Sequence, residues 1–262
     1  MFDKKGIDKI GQVTIFVILA ILIVISVILF FVFRDDNGDV GEYDTKTIDG
    51  YVESCLEDSL EEAIYFNSIQ GGYFVVPEPY VEEGFLRIPI YWQASRFSER
   101  GHQDYFPSLD VIESELEDAV KVRFENCTGN FESFRQEVKS IDVSDIEEID
   151  VNIIDGKVSV FMNKPVFIFN NGERKKFENF DVDVNFDFIE KYDIMKEMMD
   201  VQRDAGNWMP IFEFSDIAKK HGINYTLVEK EDREFVYMFN FDDELGLGVG
   251  YRYGFAVDYD WE

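Results

Sequence analysis

Cys55 and Cys127 are the two side chains of this chain best suited to forming a covalent bond. Outside the cytoplasm, two thiols in one domain pair more often than not. Closing a loop of roughly 70 residues stabilises a fold by up to about 4.5 kcal/mol in the chain-entropy account. A disulfide is therefore expected; two inert buried thiols or a metal pair are the alternatives. A metal pair would need further Cys or His, and the sequence has only two His. Without a Cys-x-x-Cys spacing, redox catalysis is not indicated. His102 falls in the turn-like stretch Ser98-Glu-Arg-Gly-His-Gln-Asp104, and His221 precedes Gly222 at the end of a helical pattern. Neither has a zinc spacing, so the readings are a solvated loop His and a helix C-terminal His favoured by the dipole.

Asp181, Asp183, Asn185 and Asp187 alternate with Phe180, Val182, Val184 and Phe186, which puts them on one face of a strand. Such a row could hold calcium or a basic partner, but the solvated face of a half-buried strand explains it without function. Paired acids for glycoside cleavage come from distant strands and leave no local spacing. No Gly-x-Ser-x-Gly or phosphate-cradling glycine loop occurs. Gly246-Leu-Gly-Val-Gly250 lacks the helix that should follow and fits a glycine-containing strand or bulge. No catalytic residue, metal site or cofactor is expected. Asn126-Cys127-Thr128 and Asn224-Tyr225-Thr226 are N-glycosylation sequons, which makes Asn126 and Asn224 candidate attachment points.

The elements that must position these residues follow from periodicity. Apolar residues recur at three and four from Ile48 through Val52, Cys55, Leu56 and Leu60 to Ile64, predicting an amphipathic helix over about 45–70 that Gly71-Gly72 stops. Tyr73 to Val76 and Phe85 to Trp92 read as strands. Ser108 is a candidate N-cap for a second helix, with Ile112, Leu116, Ala119, Val120 and Phe124 on one face. The period then changes to two: Ile149 to Ile153, Val158 to Val160, Pro165 to Phe169 and Phe180 to Phe186 predict an antiparallel meander with turns at Asp155-Gly156 and Asn170-Asn171-Gly172. Helical spacing returns over 188–203 and 214–221, and strands are expected over 225–228, 235–241 and 250–261. The fold class is α+β, mainly antiparallel, with several helices behind an N-terminal transmembrane helix.

That helix is Val13 to Phe33, which has no charge, no Gly and no Pro. At 1.5 Å per residue it covers about 31 Å, the thickness of a hydrocarbon core. The run ends in Phe-Phe-Val-Phe-Arg34 without a small-residue cleavage site, so it is expected to stay. Lys4, Lys5 and Lys9 precede it, and Arg34 is followed by Asp35, Asp36, Asp39, Glu42 and Asp44, which puts the N-terminus inside and the bulk of the chain outside. The division is a cytoplasmic N-terminus or leader at 1–12, the span at 13–33, a linker at 34–44 and an extracytoplasmic domain at 45–262. A subdomain break, if there is one, falls near 140–148. Asp35, Asn37 and Asp39 resemble the start of a calcium loop, but the twelfth position is Lys46 where a bidentate Glu is needed.

The run Lys9-Ile10-Gly11-Gln12-Val13-Thr14-Ile15-Phe16 resembles the start of archaeal type IV pilin-like proteins with a class III signal peptide. The resemblance implies leader cleavage between Gly11 and Gln12. It departs at Phe16, where the family carries a Glu that pairs with a neighbour's new N-terminal amine; Phe cannot form that pair, which weakens the case for a filament. A second likeness, carried by Tyr51-Val-Glu-Ser-Cys55 and Gln70-Gly-Gly-Tyr73, is to membrane-anchored surface proteins of small-genome archaea and implies no activity.

With 25 basic against 54 acidic residues the net charge is −29, which repels phosphate backbones and excludes nucleic acid as a natural partner. Solubility of an exposed domain accounts for the acidity. A composition 46% hydrophobic and 16% aromatic requires a folded core. Three functions are carried forward. The first is a membrane-anchored, non-enzymatic structural or interaction protein of the envelope, partnered by another envelope protein or by itself. The second is a pilin-like filament or accessory subunit. The third is an extracytoplasmic hydrolase using scattered carboxylates. The first would show an exposed aromatic patch or an unpaired sheet edge.

Overall fold

A computed structural model describes residues 46–94, 102–132, 134, 140–170, 172–230, 233–245 and 248–260. The Gly11-Gln12 junction, the span at 13–33 and the linker lie outside the described residues. Among the described residues, no helix is long and apolar enough to cross a membrane.

The first amphipathic pattern forms α1 (Lys46–Ile69). Ile48, Val52, Leu56, Leu60 and Ile64 are buried, while Glu53, Glu57 and Asp58 face water. Gly71 and Gly72 both take positive φ, and their N–H groups close the last turn on Ser68 O (3.0 Å) and Asn67 O (2.7 Å). A Cβ on Gly71 would lie 2.5 Å from Pro89 Cγ, so the close passage of α1 over the sheet requires glycine there. Tyr73 to Val76, expected as a strand, is irregular instead. The N–H groups of Phe74 and Val75 donate to the Glu115 carboxylate (2.8 and 3.0 Å) rather than to another strand.

β1 (Tyr80–Glu83) and β2 (Leu86–Gln93) form a hairpin, and β3 (Gln103–Asp104) pairs with the end of β2. Ser108 caps α2 (Leu109–Thr128) as its sequence predicts, accepting from Val111 N, and a left-handed Gly129 ends the helix. β4 (Ser140–Val143), β5 (Glu148–Ile154), β6 (Lys157–Asn170) and β7 (Glu173–Val184) are all antiparallel. β7 runs along one side of β6, and β5 and β4 share the other. The two strands expected on either side of Pro165 are one, because a register shift between Asn163 and Val166 accommodates a residue with no N–H to donate.

Asp187 caps α3 (Phe188–Ala205), and α4 (Ile211–His221) ends at a left-handed Gly222. β8 (Asn224–Glu229), β9 (Glu234–Leu245) and β10 (Val249–Asp258) form a meander whose last strand pairs in parallel with β2, giving the order β1-β2-β10-β9-β8. Among the described residues the architecture is thus α+β, with one mixed sheet, one antiparallel sheet and four helices. One large core draws side chains from all four helices and both sheets. A smaller one joins Ile69, Val81, Ile88, Ile90, Val236 and Ala256. Thr45–Glu262 is one compact unit, and the segment near 140–148 lies within it.

Candidate interaction surface

Cys55 and Cys127 are joined in a disulfide, with Cα atoms 5.7 Å apart. The bond ties the buried face of α1 to the last turn of α2, and Tyr51 adds a hydrogen bond from its hydroxyl to Cys127 O (3.2 Å). His102 is an exposed loop residue whose ring stacks on Trp92, centroids 5.0 Å apart. His221 sits in the last turn of α4, and its Nε2 meets Glu197 of α3 at 3.0 Å. Hydrogen bonds from Lys220 and His221 hold the Glu197 carboxyl below the usual carboxylate range.

The acidic row does not act as one group: Asp181 and Asn185 are solvated, Asp183 pairs with Lys157 at 2.5 Å, and Asp187 accepts from Glu190 N as an N-cap. Among the described residues no cluster of three or more His, Cys, Asp or Glu could hold a metal ion. Gly248 occupies the turn between β9 and β10, and β10's pairing with β9 slips between Gly250 and Arg252. Of the two sequon asparagines, both exposed, Asn126 lies in the last turn of α2 and Asn224 opens β8.

Two of the outer strands, β5 and β8, contrast at their free edges. On β5, the outward N–H groups of Val151 and Ile153 donate to the carboxylates of Glu117 (3.3 Å) and Glu113 (2.8 Å) on α2. A helix presents i and i+4 on one side, and a strand presents alternate N–H groups on one edge, so two glutamates suffice to cap two donors. Burial, only partly offset by the Val151 N–H, raises the Glu117 carboxyl above the ordinary Glu value.

Among the described residues β8 has nothing equivalent. Lys230 N donates to Glu234 O (2.8 Å) just past the ladder in which Asn224 pairs with Asn240 and Val228 with Val236. Alternation therefore turns the N–H and C=O groups of the even-numbered residues toward β9 and those of Tyr225, Leu227 and Glu229 outward. β8 is the last strand of its sheet, and those three N–H groups have no partner among the described residues.

Beside that edge runs a shallow groove of about 450 Å3 between α4 and β8, lined by Ser215, Ala218, Lys219, Gly222, Asn224 and Tyr225. Tyr225 Oη bridges the two elements, meeting Ser215 Oγ at 3.0 Å and donating to Ile211 O at 3.4 Å. A second concavity of about 380 Å3 is walled by Tyr73, Pro77, Pro79, Pro89, Tyr105 and Phe106, with Glu78 its one charged residue. Neither brings two carboxylates together.

At the N-terminal end of α4 the α3–α4 corner exposes a cluster of apolar side chains: Trp208 is 77% and Phe212 85% exposed, and Ile211 lies beside them at the surface. The loop beneath is fastened. Gln202 is fully buried, and its amide donates to Gly206 O (3.1 Å) and Trp208 O (3.3 Å) while accepting from Tyr259 Oη (2.7 Å). Trp92 Nε1 also donates to Gly206 O (2.9 Å), and Asn207 exchanges two hydrogen bonds with the backbone of Asp260. Tyr237 meets Tyr259 hydroxyl to hydroxyl at 3.1 Å, and burial pushes the ionisation of both phenols far above the normal tyrosine range.

Gln202, Glu113 and Glu117 were not singled out by the sequence. The available signals were a polar residue continuing the buried Ile194, Met195, Met198, Met199 stripe, and glutamates immediately following the apolar Ile112 and Leu116. No protein family profile, curated protein or solved structure matches this chain.

Proposed function

We propose that this chain is a membrane-anchored, non-enzymatic interaction protein that displays its folded unit outside the cell. The anchor and its orientation rest on the uncharged run Val13 to Phe33 and on the basic and acidic flanks of that run. The interaction role is carried by one observation: Trp208 and Phe212 stand exposed on a corner that buried Gln202 holds rigid. Exposed aromatics lose apolar contact with nothing in return unless a partner covers them. An aromatic fixed before binding loses little entropy when it is covered, which is the behaviour of an interface hot spot.

The test replaces Phe212 in the full-length chain with a photoreactive benzoylphenylalanine and irradiates intact cells. A discrete adduct is expected at 212, and none above background with the same probe at exposed Lys175. Equal labelling at the two positions, or none at either, sinks the reading. The double variant Trp208→Ser, Phe212→Ser should abolish a partner's capture while changing stability by less than about 0.5 kcal/mol, as surface substitutions do. Protease added to intact cells should release the 45–262 unit by cutting in the linker; protection until lysis would reverse the topology.

A further inference from the structure

The geometry points to β8 as a self-pairing edge: two copies of this chain join β8 to β8 antiparallel about a two-fold axis at Leu227, extending the sheet across both molecules. This deepens the reading of the unit as an interaction domain and rests on it.

The register follows from the backbone. The outward groups belong to Tyr225, Leu227 and Glu229, and a two-fold antiparallel pair must match outward groups with outward groups. Placing the axis at Leu227 satisfies this along the whole strand. Leu227 then faces its own copy and Tyr225 faces Glu229. Thr226 comes opposite Val228, and Asn224 opposite Lys230. No like charges meet, although the chain as a whole carries −29. Thr226 and Val228, now exposed, would cover each other.

The flanking helix argues for the same occupant. An axis perpendicular to the sheet leaves both copies of α4 on one face, running in opposite directions beside the seam. α4 has Glu213 in its first turn and Lys219 and Lys220 in its last, so reversal sets the acidic end of one helix toward the basic end of the other. Lys219 lines the groove that opens onto the seam. An unrelated peptide could use the backbone edge, but the complementarity of strand and helix charges under one symmetry operation selects a second copy.

The sequence holds only two cysteines and both are in the disulfide, so a single introduced cysteine is the sole free thiol. Full-length Leu227→Cys protein in its native membrane, mildly oxidised, should form a reducible dimer. Asn224→Cys, on the same strand but far from the axis, should not. The exposed pair Thr226→Cys, Val228→Cys should cross-link as Leu227→Cys does, which covers a failure of Leu227→Cys to fold. Adding Glu229→Pro to Leu227→Cys removes one outward donor per copy without touching the ladder to β9, and should cut dimer yield at least tenfold with thermal stability retained. Absence of dimer from both cysteine designs, or equal dimer from Asn224→Cys, overturns the proposal. An intact adduct from the Phe212 probe in that case keeps the interaction reading and removes only the self-pairing; loss of both removes both.

Discussion

β5 and β8 are both outer strands, of seven and six residues, and each alternates exposed with more buried side chains, fully buried at Val151 and Ile153 on β5 and only half-buried at Tyr225 and Leu227 on β8. Yet on β5 α2 caps the outward N–H groups of Val151 and Ile153, while the outward N–H groups of β8 have no partner among the described residues. An uncapped edge is a template for any extended chain, and folded proteins suppress such edges with charge, bulges or cover. Here the same molecule covers the edge of β5 and, among the described residues, leaves that of β8 uncovered, beside a groove and an exposed aromatic corner. Among the described residues the helix nearest to β8, α4, sends Ser215 to the hydroxyl of Tyr225 and no carboxylate to the strand's backbone, so the difference between the two edges is one of placement.

The largest effect is expected at the disulfide. Cys55→Ser removes the covalent tie that holds α2 beside α1, at a cost of up to about 4 kcal/mol. α2 supplies the caps of β5, so hydrogen exchange at Val151 and Ile153 should accelerate while the amides of Tyr225, Leu227 and Glu229 exchange as quickly as before. An unchanged melting temperature would show that packing alone fixes α2.

A direct unsealing comes next. Glu113→Ala with Glu117→Ala strips both acceptors, and leaving a half-buried N–H without a partner costs about 1–3 kcal/mol each. The variant should unfold earlier and should associate through β5, making that edge behave like β8. If light scattering shows no new association, exposed donors alone do not make an edge adhesive.

The folded-state value of Glu117 is raised, so the fold favours its protonated form; that preference is fully present at acidic pH and is lost as pH rises through the folded value. Glu117→Gln keeps an oxygen for Val151 N and carries no charge. It should be slightly more stable than the parent at neutral pH, and the difference should vanish when denaturant midpoints are compared below the carboxylate range. Glu117 keeps contact with water, so the gain is modest. A variant that is less stable at neutral pH would mean the charge itself strengthens the cap.

Much of the scaffold was legible in the residues. The Ser108 cap, the stop at Gly71-Gly72, the stripe of α1 and the meander around β6 each follow from local spacing, because caps, turns and amphipathic faces are decided within a few residues. The strand-like composition of Tyr73 to Val76 is overruled by a carboxylate about forty residues away, Glu115. The surface was illegible for a related reason. Glu113 and Glu117 carry the signature of any solvated helix flank, and their role depends on where β5 comes to rest. Trp208 and Phe212 look like core residues until Gln202 and the C-terminal end of β10 fix the corner beneath them. The strand order, with β10 inserted between β2 and β9, leaves no trace in periodicity at all.

That insertion governs the order of assembly. Ile90 on β2 lies against Ala256 on β10, and β10 is also the partner of β9. As the chain emerges N-terminus first, β2 has its hairpin mate β1 early but must wait for almost the entire unit before its other flank is covered. The antiparallel sheet around β6, closed by neighbours in sequence, needs no such wait. The sheet around β6 can therefore be built on the way out, whereas β1 and β2 are joined to β8 and β9 only once β10 arrives between them.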